Sequence, residues 1–237
     1  MSSLNFKNKK ILVVVAHPDD ELLGLGATIH KLITEQNCNV RAVILGEGIT
    51  SRADARDREK WQQELETHRQ NIYNAQKCIG YHSVGIYDLP DNRFDSIPLL
   101  DIVKIIEKEK TQFQPEIIFT HHGADLNVDH QRTFEAVMTA TRPMQQEVVK
   151  TILTFETPSS TEWQAFNQPN PFLPNFFVSV REQNLKAKID GMESYVFEKR
   201  PYPHPRSPKS LTYRAKFWGN RIGQDMAEAF MLVRTIL

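Results

Sequence analysis

The sequence predicts an α/β protein with a mostly parallel sheet, and three observations carry that prediction. Ile11-Leu12-Val13-Val14-Val15 is an unbroken apolar, β-branched run, as expected of a strand buried on both faces. Strand-like runs alternate with helix-period stretches as far as Phe155. Two polar clusters, rich in His and Asp, follow directly on the first and fourth of these strands.

Taken in order, Leu22 to Glu35 reads as a helix, with Leu22, Leu25, Ile29, Leu32 and Ile33 at helical spacing. Asn39 to Leu45 is the second strand and runs into Gly46-Glu47-Gly48; Ile49 to Asp54 is a polar loop. A charged helix is expected from Ala55 to Cys78, stopped by Gly80. Val84 to Leu89 is the third strand, followed by the turn-rich Pro90-Asp91-Asn92-Arg93-Phe94-Asp95. Pro98 to Lys110 is a helix, Glu116 to Thr120 the fourth strand, His130 to Thr141 a helix stopped by Pro143, and Thr151 to Phe155 the fifth strand. Pro158 to Pro174 is irregular. Phe176 to Val180 reads as a strand and Gln183 to Val196 as a helix. Pro201 to Pro208 is expected to be rigid and extended. Leu211 to Ile222 and Ala227 to Ile236 close the chain. The last third reads as cover and walls for a pocket within one domain spanning 1–237.

Composition narrows the function. Lys plus Arg and Asp plus Glu are 29 each, so no general affinity for nucleic acid is expected. Cys38 and Cys78 stand far apart and outside any CxxC pair, which points to a reducing, cytoplasmic setting. The apolar run that ends at Ala16 is too short for a leader or a membrane span, and no other segment reaches spanning length. A homo-oligomer stays open.

Ligands of open α/β sheets bind beyond the carboxyl ends of the strands, where both polar clusters lie. The first is Ala16-His17-Pro18-Asp19-Asp20-Glu21; the second runs from His121 to His130. Adjacent carboxylates repel, and a divalent cation is the simplest offset. His17, one of the two aspartates and a histidine of the second cluster would make an open Zn²⁺ site, the other aspartate serving as base. The competing reading is a helix N-terminus whose acids complement the helix dipole.

The string AHPDDE at 16–21, with Asp129-His130 later, resembles the PIG-L/LmbE family of zinc N-deacetylases. Gly46-Glu47-Gly48, Arg56-Asp57-Arg58-Glu59, Leu89-Pro90-Asp91-Asn92 and Ala227-Glu228-Ala229-Phe230 extend the resemblance along nearly the whole chain. It implies a Rossmann-like three-layer sandwich whose C-terminal segment covers the site. It also implies hydrolysis of the acetamide of an N-acetylglucosamine-type sugar, free or carried on a nucleotide or glycoconjugate. Carried over residue by residue, the Zn²⁺ ligands are His17, Asp20 and His130, and Asp19 is the base. Many members have His-Pro-Asp-His where this chain has Asn127-Val128-Asp129-His130. Asn127 can donate to an oxyanion but cannot supply a proton, so His121, His122 and His204 are the candidate acids.

Arg52, Asn92 and Arg93 are candidate clamps on substrate hydroxyls or a phosphate. Asp129 is a candidate partner for a ligating imidazole, and Asp125 a loop-stabilising residue. Gly24 and Gly26 fit close helix–strand packing better than a dinucleotide loop. Trp163 and Phe166 either stack on a sugar or fill core. Two rival functions remain. A phosphoesterase would show a second metal about 4 Å from the first; a non-catalytic sugar- or nucleotide-binding module would bind without releasing acetate.

Overall fold

The computed structural model describes residues 4–236, so the two ends of the 1–237 span lie outside them. Its elements are β1 (Lys10–Val15), α1 (Asp20–Gln36), β2 (Asn39–Gly46), α2 (Gln62–Ile79), β3 (Ser83–Leu89), α3 (Leu99–Phe113), β4 (Ile117–His121), α4 (Val128–Ala140), β5 (Thr151–Phe155), β6 (Phe176–Ser179), α5 (Glu182–Ser194), α6 (Pro208–Arg221) and β7 (Ala227–Thr235).

The strands form one sheet in the order β3-β2-β1-β4-β5-β7-β6. The first five are parallel, β7 is antiparallel to β5, and β6 is antiparallel to β7. β1 alternates between two cores because successive side chains leave a strand on opposite faces. Ile11, Val13 and Val15 join α1, α2 and α5 on one side; Leu12 and Val14 join α3 and α4 on the other. This makes three layers, helix–sheet–helix. The chain runs outward from β1 in one direction and from β4 in the other, so the crevice between those two strands is where a ligand is expected.

Close packing explains the two glycines of α1. A Cβ on Gly24 would lie 2.2 Å from the Phe155 ring, and one on Gly26 would lie 3.1 Å from the Lys188 stem. Leu25, at φ −150°, breaks the helix there. The Glu228 carboxylate of β7 accepts the N–H groups of Ala27 (3.3 Å) and Thr28 (2.7 Å), and pairs with buried Lys188.

Three expectations are corrected. The helix expected from Ala55 begins only at Gln62. The Arg56 side chain grips Glu47 through two bonds of 2.8 and 2.9 Å, which draws residues 56–58 into a loop. α4 begins at Val128 instead of His130, because the Asn127 side chain accepts the Asp129 N–H at 2.8 Å and caps it. Pro201 to Pro208 is folded into turns, not extended: His204 N–H bonds Pro201 O at 3.0 Å and Ser207 N–H bonds His204 O at 2.9 Å. The last third does wall the cavity, through residues such as Trp163, Glu198 and Arg206, and it also completes the sheet, since β7 lies between β5 and β6. Among the described residues no helix is long and apolar enough to cross a membrane.

Candidate active site

Past the end of β1 the chain passes through His17 and Pro18 and then reverses through Asp19 at φ 100°, a left-handed conformation rare outside glycine. That turn brings Asp19 and Asp20 back over the end of the strand. Asp20 Oδ2 accepts the His17 backbone N–H at 2.9 Å, and Glu21 Oε2 accepts that of Asp19 at 3.2 Å. From the other side of the crevice, α4 supplies His130.

His17 Nδ1 and His130 Nε2 both face Asp20 Oδ2, at 3.4 and 3.3 Å. One ligand atom from each of the three residues lies within 4.8 Å of the others. The far nitrogens are tied back. His17 Nε2 donates to Asp129 Oδ2 at 2.8 Å, and His130 Nδ1 donates to Asp125 Oδ1 at 3.0 Å. Each imidazole therefore presents its other nitrogen to the crevice, an arrangement usual for histidine ligands of metals. Asp129 also accepts the N–H groups of Asn92 (2.7 Å) and Phe94 (2.9 Å).

The surrounding carboxylates favour positive charge at this point. Burial works against protonating His17, but hydrogen bonds to Asp129 and Asp20 and the charge of Asp91 outweigh it and hold its pKa well above the ordinary value. Burial likewise opposes a charge on His130, yet Asp20 and Asp125 raise its pKa to about 9. Burial pushes Asp20 up, but His130 and His121 carry it well below the usual carboxylate range. Two neutral nitrogens and one carboxylate oxygen, in surroundings that favour positive charge, suit a divalent ion of the Zn²⁺ type.

Asp19 is 1% exposed, and burial raises its pKa well above the usual value; Arg206 opposes this, while Asp20, Glu198 and Glu21 add to it. It lines a cavity of about 280 Å³ together with His17, His130, Asn127, Asn92 and Arg52. That is near the lower end of small-molecule sites, about 300–1,000 Å³.

The candidates of the sequence divide. Arg52 lines the cavity and pairs with Glu198, also bonding Phe197 O at 3.2 Å. Asn127 Nδ2 donates to Asn92 Oδ1 at 2.8 Å. His204 lines the rim, edge-on to Trp163 at 5.6 Å between ring centroids. Trp163 is half-exposed at that rim and Phe166 fully exposed, so neither fills core. Arg93 is not among the lining residues; it is exposed and reaches Asp54 O at 3.4 Å. His122 also stands outside the lining, its Nε2 donating to Asn170 O at 2.9 Å. His121 is wholly buried, stacked 3.9 Å from His130, and takes the Ala16 N–H on Nε2 at 3.0 Å. These contacts remove His121, His122 and Arg93 from the cavity.

Sequence reasoning missed His68, Glu198 and Arg206, all of which line the cavity. His68 had a signal: with Ile72, Ala75 and Ile79 it completes the buried stripe of α2. It is 2% exposed, its Nδ1 has no partner among the described residues, and burial lowers its pKa to about 4. Arg206 stands beside His204 in the proline-rich stretch. Asp125, taken for a loop residue, also orients His130.

Fold and site together define a three-layer α/β protein with a His–Asp–His cluster at the carboxyl ends of its parallel strands. Residues 12–141 match the sequence model of the family described as PIG-L, GlcNAc-PI de-N-acetylase. The chain belongs to this family. It is 30% identical over 200 residues to the uncharacterized deacetylase YaiS of Escherichia coli K12, covering 82% of this chain and 94% of YaiS. The N,N'-diacetylchitobiose deacetylase of Pyrococcus horikoshii superimposes with a TM-score of 0.70 at 18% identity, over 95% of this chain and 84% of that one. GalB, the 4-carboxy-2-hydroxymuconate hydratase of Pseudomonas putida KT2440, superimposes with a TM-score of 0.71 at 18% identity, over 97% and 98%. The same fold thus carries a hydratase, and function has to be read from the site.

Proposed function

We propose that the chain is a zinc-dependent N-deacetylase, acting as one domain over 1–237 on an N-acetylglucosamine-type sugar or its nucleotide or glycoconjugate and releasing acetate. The observation that carries this reading is the convergence of His17 Nδ1, Asp20 Oδ2 and His130 Nε2 beside a buried Asp19 on the floor of a cavity. Held by those three residues, a Zn²⁺ ion would polarise the acetamide carbonyl and acidify a water.

The side chains have these roles in the proposal. Asp19 accepts the proton of the attacking water and returns it to the leaving amine, since Asn127 has none to give. Asn127 turns its remaining amide N–H to the developing oxyanion. Arg52 and Asn92 hold substrate hydroxyls, and His204 closes the rim. Asp129 and Asp125 keep the ligating imidazoles in one orientation. The enzyme works in the cytoplasm.

A two-metal phosphoesterase is the weaker reading. A second group, His17, Asp91 and Asp129, also gathers within 4.8 Å. It shares His17 with the first, and both Asp129 oxygens are already taken by backbone N–H groups. Acetate release over a panel of N-acetyl sugars and UDP-linked sugars, with and without chelator, tests the proposal. Zinc-replete protein that binds such a sugar without releasing acetate, or that holds two metals per chain, would sink it.

A further inference from the structure

Arg206 is the residue before Ser207, the N-cap of α6. Its backbone is fixed on entry to that helix, its N–H donating to His204 Nδ1 at 3.2 Å. The side chain turns into the cavity wall and meets three partners. Nε donates to Ser159 Oγ at 2.7 Å, and Nη1 donates both to Glu198 Oε2 at 2.9 Å and to Asp19 Oδ2 at 3.0 Å. The other Glu198 oxygen accepts from Arg52. An unbroken chain of ionic hydrogen bonds, Arg52–Glu198–Arg206–Asp19, therefore runs from a side chain 37% exposed to one 2% exposed.

Asp19 needs such a hold. It begins a run of three consecutive carboxylates, all buried. Like charges that close would turn its carboxylate away from its neighbours. Asp19 Oδ2 is engaged by Arg206, while among the described residues no group donates to Oδ1. One oxygen is thus anchored and the other is left to the cavity, as required of a group that takes a proton from a water. A guanidinium suits this task because its planar fork is pre-organised and always charged.

We propose that Arg206 is a positioning residue for Asp19, and that Glu198 is the strut joining it to Arg52 at the cavity mouth. The inference rests on the deacetylase reading above. Group placement errors of about 1 Å cost on the order of 100-fold in rate, which sets the effect expected when the anchor is lost.

The test compares wild type, Arg206→Ala, Arg206→Lys and Glu198→Gln, all zinc-loaded, by steady-state acetate release from an N-acetyl sugar and by crystal structures. Arg206→Ala should lower kcat about 100-fold with KM little changed. Millimolar guanidinium should restore part of that loss, Arg206→Lys should fall between, and the Asp19 carboxylate should rotate in the Ala variant. An unmoved Asp19 carboxylate, or a kcat equal to wild type, would overturn the inference. Should Arg206→Ala not fold, Glu198→Gln carries the test through the same split of kcat against KM and the same view of Asp19. Wild type that releases no acetate would refute the proposed reaction, while the orientation of Asp19 in the variants would still decide the positioning role.

Discussion

His17 Nε2 donates to Asp129 Oδ2 at 2.8 Å, a bond between residues 112 apart in the chain. It joins the loop after β1 to the first turn of α4, and it decides which nitrogen of His17 faces Asp20. Removing Asp129 should therefore act on metal binding without touching a ligand. Asp129→Ala is expected to weaken Zn²⁺ affinity about 10–100-fold, measured by competition with a chromogenic chelator. Unchanged affinity would mean that His17 is oriented by something else.

The roles of the two adjacent aspartates separate by metal content. Asp19→Asn should keep its zinc and lose about 10²–10⁴-fold in turnover. His17→Ala, Asp20→Ala and His130→Ala should lose the metal itself. Zinc per chain, determined after dialysis, distinguishes them, and equal loss in all four would reverse the assignment of Asp19 and Asp20.

His68 sets a pH dependence of stability. Its pKa is about 4 in the folded protein, against an ordinary 6.5, because burial disfavours the charged ring. The unfolded chain therefore binds the proton more readily. The stability contributed by the neutral ring is complete above pH 6.5 and drains away as pH falls toward 4. At about 1.4 kcal/mol per pKa unit the loss is of the order of a few kcal/mol. His68→Leu, which keeps an apolar contact with Tyr195 and Phe197, should flatten the fall in urea midpoint across that range. Parallel curves for the two proteins would refute this.

Gly24→Ala forces a methyl group against the Phe155 ring, 2.2 Å from Gly24's ideal Cβ. Overpacking of this kind costs about 1–3 kcal/mol. Thermal unfolding should show a lower Tm, and Phe155→Leu in the same chain should recover part of the loss. Additive losses would place the strain elsewhere.

The strands from β1 to β5 were legible because each is a short apolar run bounded by turn residues, a signal held within a few positions. The His17–Asp20 and His121–His130 clusters were legible for the same reason. The start of α2 was not: Arg56 and Arg58 look helical until Glu47 and Asp88 draw them aside. Nor was the removal of His121, since nothing in its neighbours announces the Ala16 N–H or the stacked ring of His130.

The sequence by itself determined the α/β class, the parallel core and the two His- and Asp-rich clusters that end β1 and β4, because these depend on local periodicity and residue chemistry. Only the tertiary structure decided that β7 enters the sheet between β5 and β6, that His68 lines the cavity, and that Arg206 meets Asp19. Those contacts join segments up to 187 positions apart. They exist only once burial has brought the segments together, and no spacing along the chain records them.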